Sequence, residues 1–187
     1  MLSKKYDAVW LLYSRRPRGQ LPRRWKGLVG YGRLDIVARA ILASNYVSPS
    51  IDSDSALLLY LDDEHSPQLI YLEPKCMPSV MKYEHESAQF LLEVLRGRTN
   101  CLVENNPPTL VGLAKRFSSQ GYKVVQLIEE GKLLTEHVHN TLYILGTHID
   151  PPILEKIEKR SIGPFSYLTS HVIAYINIVL RKKLLGT

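Results

Sequence analysis

The chain has 187 residues, a length that suits one domain with a sizeable hydrophobic core. Hydrophobic residues at 45% and charged residues at 22% are ordinary values for a globular protein. The formal net charge is +6, and residues 15–26 carry the whole excess, because the other 18 basic residues match the 18 acidic ones.

The sequence predicts neither a secretory signal nor a membrane span. The apolar run at residues 8–13 is too short for the core of a signal peptide. The apolar C-terminal helix is interrupted by His171 and Asn177, which argues against a membrane span. Cys76 and Cys101 lie in dissimilar contexts without metal-ligand spacing, so we predict two reduced thiols. Together these features predict a soluble, cytoplasmic protein.

The first predicted element is a buried strand at residues 7–13, a short apolar run. Residues 14–31 follow as a loop, because Pro17, Gly19, Pro22 and Gly27 interrupt regular structure. A cluster of basic side chains here is the usual footprint of a phosphate-rich partner such as RNA. The predicted RNA-binding residues are Arg15, Arg16, Arg18, Arg23, Arg24 and Lys26. The alternative is a solvated, mobile loop without a partner.

Two aromatic residues and a short motif complete this region. Trp25 and Tyr31 either stack on nucleobases beside the arginines or anchor the loop to the core. The motif GRLD at residues 32–35 then opens an amphipathic helix that ends before Pro49. Asp35 lies in the first helical turn, where a carboxylate complements the helix dipole, so it is either a cap or a chemical group.

Strands and helices alternate along the rest of the chain. The predicted strands are residues 56–61 and 68–72, which form a hairpin-like pair, and then 101–103, 122–128, 141–145 and 159–162. The predicted helices are residues 84–96, 109–118, 151–158 and 167–180, with Thr109 as an N-cap and an acidic turn at 129–131. The pattern indicates one α/β domain over residues 1–187, with a largely parallel sheet flanked by helices. A ligand site is expected at the carboxyl ends of the strands.

Motifs for several common activities are missing from the sequence. There is no dinucleotide-binding G-x-G-x-x-G after the first strand, no P-loop and no nucleophile elbow. His137 and His139 lie two positions apart, but no third ligand has an obvious metal-site spacing, so we predict polar surface residues and no metal. His148 and His171 stand alone and predict hydrogen-bonded structural roles.

The last quarter of the chain carries the most specific pattern. An apolar strand ends in a glycine within YILGTHID, and a second short strand runs into RSIGPFSYLTSHVIAYINIVL, where a Gly-Pro turn opens an apolar helix. Glycine turns and helix starts offer main-chain groups to a small ligand. These residues resemble the cofactor-binding end of the SPOUT RNA methyltransferases, which have a trefoil-knotted α/β fold. With GRLDIVARAIL and, more loosely, GYKVVQLIEEG, the chain is most similar to the archaeal tRNA (pseudouridine(54)-N(1))-methyltransferases.

The resemblance implies S-adenosylmethionine as the cofactor and tRNA as the substrate. The implied cofactor-binding residues are Leu127, Gly146, Ile162, Gly163, Pro164, Phe165, Ser166, Tyr167 and Val172. The family commonly has cysteine where this chain has Val172, a side chain that replaces a packing contact but not a thiol. The fold implied is a SPOUT sheet with a C-terminal trefoil knot. The wide apolar arc of the closing helix predicts a homodimer with this helix in its interface.

The chemistry of pseudouridine indicates roles for two residues of the early motif. N1 of pseudouridine carries a proton that must leave as the methyl group arrives, and a carboxylate can accept it or orient the ring. An arginine can stabilise negative charge that develops on the ring. We therefore predict Asp35 and Arg33 as catalytic residues. Two alternatives stay open: methylation of small-subunit ribosomal RNA, whose enzymes typically show R-P-D rather than this R-L-D, and RNA binding without catalysis.

Overall fold

The computed structural model describes residues 1–48 and 50–182, and these form a seven-stranded sheet with helices on both faces. The strands are β1 (Ala8–Arg15), β2 (Ser55–Asp62), β3 (Gln68–Leu72), β4 (Leu102–Asn105), β5 (Lys123–Leu133), β6 (Thr141–Gly146) and β7 (Glu158–Ser161). The helices are α1 (Leu34–Asn45), α2 (Glu84–Leu95), α3 (Leu110–Ser119) and α4 (Thr169–Tyr175). The strand order is β4-β3-β2-β1-β6-β5-β7.

Most neighbouring strands are parallel, which confirms the predicted α/β fold with a largely parallel sheet. β1 is parallel to β2 and β6, and β5 is parallel to β6 and β7. β3 is antiparallel to both of its neighbours and forms the predicted hairpin with β2. The parallel strands end at one edge of the sheet, which brings together the segments that follow Arg15, Asp62, Gly146 and Ser161.

The central strand, β1, is buried on both faces. Trp10 and Leu12 pack in the cluster that includes α1, α2 and α4, and Val9 and Leu11 pack in the cluster that includes α3. Successive side chains point to opposite faces of a strand, so each face of β1 contributes to a different cluster. All four side chains are fully buried, which explains why this strand is continuously apolar rather than alternating.

The helices predicted after the GRLD motif and at residues 84–96 and 109–118 are confirmed as α1, α2 and α3. α1 ends at Asn45, ahead of Pro49, which lies outside the described residues. Thr109 caps α3, because its hydroxyl accepts a hydrogen bond from Gly112 N at 3.3 Å. The closing helix starts at Thr169 and continues after Tyr175 as a π-helical turn, Ile176–Leu180. Within the described part of the chain, no helix combines the length and apolar character that crossing a membrane requires.

Residues 151–158 do not form the predicted helix. Leu154 N donates a hydrogen bond to Gln126 Oε1 at 2.8 Å, and Gln126 Nε2 donates one to Pro152 O at 3.0 Å. Gln126 lies on β5 and is fully buried. A side chain that is distant in sequence therefore satisfies main-chain groups of this segment, and local helix propensity does not register such a contact.

The predicted turn at residues 129–131 lies inside β5. The pairing of β5 with β7 shifts between Leu127 and Lys132, as in a β-bulge. A Cβ added to Gly131 would lie 2.4 Å from the carbonyl carbon of Arg160, so the two main chains pack too closely for any side chain here. Gly131 is therefore required where β5 packs closely on β7, and it does not mark the end of β5.

Cys76 and Cys101 form a disulfide, so the prediction of two reduced thiols is wrong. Cys76 ends a 3₁₀ turn after β3, and Cys101 directly precedes β4. Because β3 and β4 pair antiparallel, with Tyr71 opposite Leu102, the two cysteines meet with a Cα–Cα distance of 5.1 Å. Their sequence contexts look unrelated because 25 positions, including α2, separate them.

Candidate functional site

Two cavities open side by side at the carboxyl edge of the sheet. The smaller one, cavity A, has a volume of about 270 Å³ and is bounded by the middle of β5, the ends of β6 and β7 and the start of α4. The larger one, cavity B, has a volume of about 610 Å³ and lies at the ends of β1 and β2. This is the edge at which parallel sheets bind their ligands.

Eight of the nine residues that the resemblance implied for cofactor binding line cavity A. They are Leu127, Gly146, Ile162, Gly163, Phe165, Ser166, Tyr167 and Val172. The ninth, Pro164, is exposed and is not part of the lining. The fold thus gathers side chains from three strands and one helix around a single cavity.

Close main-chain packing shapes cavity A. A Cβ at Gly146 would lie 2.2 Å from Ile149 O, so the turn after β6 requires glycine. The Thr169 hydroxyl donates to Gly146 O at 2.7 Å and ties the start of α4 to this turn. After β7, Ser161 Oγ donates to Gly163 O at 2.8 Å and accepts from Gly163 N at 3.1 Å. These bonds fix the walls of the cavity.

Cavity A also contains polar groups that the sequence analysis missed. Glu129 and Asp150 line it, and both are exposed carboxylates. They can accept hydrogen bonds from hydroxyl or ammonium groups of a ligand. The apolar side chains around them suit an aromatic ring. Asp150 comes shortly after the end of a parallel strand, and that position was the available clue.

Cavity B is lined by three of the six predicted RNA-binding residues, Arg15, Arg16 and Arg18. Arg16 is held in place because its Nη1 donates to Ser66 Oγ at 2.8 Å. Tyr31 and the acidic residues of the β2–β3 connection, Asp62, Asp63 and Glu64, complete much of the lining. A cavity with guanidinium donors, carboxylate acceptors and an aromatic ring can bind both the phosphates and the base of a nucleotide.

The other three basic residues, Arg23, Arg24 and Lys26, are exposed and do not line cavity B. They surround a 3₁₀ turn, Trp25–Leu28. Trp25 packs on the hydrophobic core, and its ring lies 6.2 Å from that of His85 on α2. Trp25 therefore anchors the loop, and Tyr31 both packs on the core and lines the cavity.

Arg33 and Asp35 form an ion pair at the start of α1. Arg33 Nε and Nη2 donate to the two Asp35 oxygens at 3.1 and 3.3 Å, and Arg39 Nη2 donates to Asp35 Oδ2 at 3.3 Å. Arg33 has a φ of 55°, a left-handed conformation that is costly for a residue with a side chain. Asp35 is buried and Arg33 is half-exposed. Neither residue lines cavity A or cavity B.

His148 lines both cavities. Partial burial, followed by the positive charges of Arg33 and Arg15, lowers the pKa of His148, and the charge of Asp35 opposes this shift. The imidazole is therefore neutral at neutral pH and can accept a proton. From the sequence, a lone histidine such as His148 carries no spacing signal and predicts only a structural role. Its place two residues after β6 was the available clue.

Known methyltransferases are similar to this chain in sequence and in fold. A tRNA (pseudouridine(54)-N(1))-methyltransferase of Pyrococcus abyssi is 27% identical over 174 residues, covering 81% of this chain and 85% of that protein. One of Thermococcus kodakarensis is 29% identical over 170 residues, covering 80% and 85%. The crystal structure of Archaeoglobus fulgidus Nep1 bound to S-adenosylhomocysteine has a TM-score of 0.59 at 12% identity, covering 96% of this chain and 100% of that one. This last similarity shows the SPOUT fold alone.

The family comparison covers nearly the whole chain. A model of a family described as SAM-dependent RNA methyltransferase matches residues 8–184, from the central strand to beyond the closing helix. The chain therefore belongs to this family of S-adenosylmethionine-dependent RNA methyltransferases.

Proposed function

We propose that this protein methylates N1 of pseudouridine 54 in tRNA, with S-adenosylmethionine as the methyl donor. Two relatives with that activity in their names align with about four-fifths of the chain. The observation that carries the proposal is the pair of adjoining cavities with His148 between them. A methyltransferase must hold donor and acceptor side by side, and positioning supplies much of the rate acceleration. We infer that residues 1–187 form a single methyltransferase domain that contains both cavities.

Cavity A fits the cofactor. Its glycine turn and the loop at residues 162–167 offer main-chain groups, and its apolar side chains can sandwich an adenine ring. Asp150 and Glu129 can accept hydrogen bonds from ribose hydroxyls or from the amino group of the methionine part. When bound, S-adenosylmethionine supplies a methyl group activated by its sulfonium. Val172 contributes a packing contact where the family commonly has cysteine.

Cavity B would receive the target nucleotide. Arg15, Arg16 and Arg18 lie where they can neutralise neighbouring phosphates, and Tyr31 offers a ring on which an unstacked base can lie. The exposed side chains of Arg23, Arg24 and Lys26 extend the positive surface beyond the cavity. We infer that they contact more distant phosphates of the tRNA.

His148 is better placed than Asp35 to accept the proton that leaves N1. Both Asp35 oxygens are already hydrogen-bonded to guanidinium groups, and this residue lies outside the two cavities. We infer that Asp35 positions Arg33, whose half-exposed guanidinium lines neither cavity but whose positive charge helps to keep the His148 imidazole neutral. The neutral imidazole of His148 then takes the proton.

We also infer a trefoil knot in the segment that follows β7, and a homodimer. The closing segment exposes several apolar side chains, Leu168, Tyr175, Ile178 and Val179. A second copy of the chain would cover them, as exposed apolar groups concentrated on one segment favour association. A monomeric mass by light scattering at micromolar concentration would contradict the dimer.

The decisive experiment is the transfer of labelled methyl from S-adenosylmethionine to two tRNAs that differ only in pseudouridine or uridine at position 54. Label is expected in the pseudouridine tRNA alone. If neither tRNA is labelled while the cofactor still binds, the substrate is another RNA, and small-subunit ribosomal RNA is the first to test. If the cofactor does not bind either, the protein binds RNA without catalysis.

A further inference from the structure

Three metal-ligand side chains converge at the amino edge of the sheet, opposite the two cavities. Asp7 directly precedes β1, and His137 and His139 precede β6. Asp7 Oδ1 lies 3.1 Å from His137 Nε2 and 2.5 Å from His139 Nδ1, and the three ligand atoms all lie within 4.8 Å of one another. The parallel pairing of β1 with β6, which places Ala8 opposite Thr141, supplies the third ligand that the sequence analysis did not find.

The remaining polar atoms of Asp7 and His137 are also engaged. His137 Nδ1 lies 2.8 Å from the Tyr143 hydroxyl, and Asp7 Oδ2 accepts a hydrogen bond from Arg181 Nε at 2.8 Å. The side chains of His137 and Arg181 are only 5% and 1% exposed. When His137 Nδ1–H donates to Tyr143, the lone pair of Nε2 faces Asp7 Oδ1. Metal sites hold the second atom of each ligand in this way, which fixes its orientation.

The charge and the donor set favour a divalent cation. Asp7 and Asp52 both pair with the single guanidinium of Arg181, so these three groups carry one net negative charge when the histidines are neutral. Two imidazoles and one carboxylate are a donor set that suits Zn²⁺. His139 is 88% exposed, so the open side of the site faces solvent and a water molecule can complete the coordination.

We propose that Asp7, His137 and His139 bind Zn²⁺ through Asp7 Oδ1, His137 Nε2 and His139 Nδ1. The site is structural, because it lies a full strand length away from the cavities, roughly 25 Å for an eight-residue strand. Bound metal would join the start of the central strand to the segment before β6. Through Asp7 and Arg181 it would also stabilise the end of the closing helix.

The test uses the full chain, treated with a chelator that is then removed, and titrates it with Zn²⁺ by calorimetry. We expect one Zn²⁺ per chain and a rise in the thermal midpoint as Zn²⁺ is added. Co²⁺ in place of Zn²⁺ should give the visible absorption of a four-coordinate site. His139→Ala removes one exposed ligand, so it should leave the fold intact and weaken Zn²⁺ binding on the order of 100-fold.

The matched control is His65→Ala, which removes an exposed histidine of the β2–β3 connection and should leave Zn²⁺ affinity unchanged. S-adenosylmethionine binding should be the same in wild type, His139→Ala and His65→Ala, which separates this proposal from the proposed function. Equal Zn²⁺ affinity in the two variants, or less than one Zn²⁺ per wild-type chain, would overturn the proposal. The cluster would then be a hydrogen-bond network around Asp7 only.

Discussion

At His148, a single imidazole borders both the proposed cofactor cavity and the proposed nucleotide cavity. Because the fold lowers the pKa of His148 from its ordinary value of 6.5, wild-type kcat/KM should fall only at pH values below that ordinary value. His148→Gln keeps the size and polarity of the side chain but cannot accept the proton. We expect it to lower kcat on the order of 100-fold and to remove the acid limb of the pH profile.

Chemical rescue distinguishes proton transfer from a structural role. Added imidazole should restore part of the activity of His148→Ala, and S-adenosylmethionine affinity should change little in both variants. An unchanged acid limb in His148→Gln would show that another group takes the proton. Asp35→Asn is the next variant to examine in that case.

Ser166 offers a direct test of cavity A, because it is exposed, lines the cavity and is not a glycine that the backbone requires. Ser166→Trp should fill the space for the cofactor and weaken S-adenosylmethionine binding at least about tenfold, which is about 1.4 kcal/mol. Pro164→Trp places the same side chain in the same loop outside the lining. If calorimetry gives both variants the wild-type affinity, the cofactor binds elsewhere.

Single residues were predictable from the sequence where a local pattern marks them. The glycines and apolar residues of cavity A lie in short turns with a family resemblance, so they were found together. His148 and Asp150 were missed, because their significance depends on which strand ends become neighbours. Asp7 was missed as a partner of His137 for the same reason, since only the pairing of β1 with β6 brings them together.

Among the larger elements, the loop after β1 divides into two basic groups with equal charge. Arg15, Arg16 and Arg18 line cavity B, whereas Arg23, Arg24 and Lys26 do not. Replacing the first group by alanine should lower kcat/KM and reduce the slope of log affinity against log salt by about 2 to 3, roughly 1 for each phosphate contact. Replacing the second group should weaken tRNA binding and leave kcat near the wild-type value.

Filter binding across a salt series measures the tRNA affinity and its salt dependence, and single-turnover methylation measures the catalytic rate. If both triple variants lose tRNA affinity and catalytic rate to the same extent, only the total charge of the six residues contributes. A wild-type salt slope in the first variant would mean that this part of the loop is merely solvated.

The disulfide links the turn after β3 to the residue before β4 and closes a covalent loop that contains α2. Cys76→Ala with Cys101→Ala should lower the free energy of unfolding by about 3 kcal/mol, because the unfolded chain regains the entropy of an open loop. Urea unfolding of the wild type and the variant, with and without reductant, measures this loss of stability. Reductant should destabilise the wild type and have no effect on the variant. If reductant leaves the wild type unchanged, the two sulfurs are not bonded in solution.

Whole elements were predictable where a local pattern marks them, as in the continuous apolar run of β1 and the helical periods of α1 and α3. The helix at residues 151–158 was predicted wrongly, because the buried amide of Gln126 holds Leu154 and overrides local propensity. The turn at residues 129–131 was predicted from acidic residues and Gly131, whereas the glycine serves the close packing of β5 on β7. In each case a partner distant in sequence decided the local structure.

For the molecule as a whole, the buried carboxylate of Glu73 and the half-buried carboxylate of Glu104 make stability depend on pH. Burial opposes ionisation of Glu73, but hydrogen bonds from Ser3 and Tyr6 and the charge of Lys75 together outweigh it and lower the pKa of Glu73. The hydrogen bond from Arg116 lowers the pKa of Glu104. Carboxylates of the unfolded chain take up protons near pH 4.3, before those of the folded protein. The stabilisation is therefore complete well above pH 4.3 and is lost as the pH falls through the folded pKa values.

Urea midpoints at pH 7, 5, 4 and 3 test this dependence. We expect similar midpoints at pH 7 and 5 and a progressive fall below them. Glu104→Gln should lower the free energy of unfolding by about 1 kcal/mol at pH 7, because the charge-assisted hydrogen bond from Arg116 is gone. Its urea midpoint should also fall less steeply with decreasing pH than that of the wild type. If the urea midpoint of Glu104→Gln falls with decreasing pH as steeply as that of the wild type, other groups cause the pH dependence.

The position of β1 at the centre of the sheet has a consequence for synthesis. β1 begins at residue 8, yet its parallel partner β6 begins at residue 141 and the segments that complete cavity A follow later still. At roughly 5–20 residues per second, the ribosome needs on the order of 10 s to deliver that partner. During this interval one edge of β1, which is apolar from Ala8 to Tyr13, is unpaired, and such long-range pairing is intrinsically slow. We therefore expect slower translation or chaperone access to change the yield of folded protein, and a nascent chain halted before β6 cannot form the cofactor cavity.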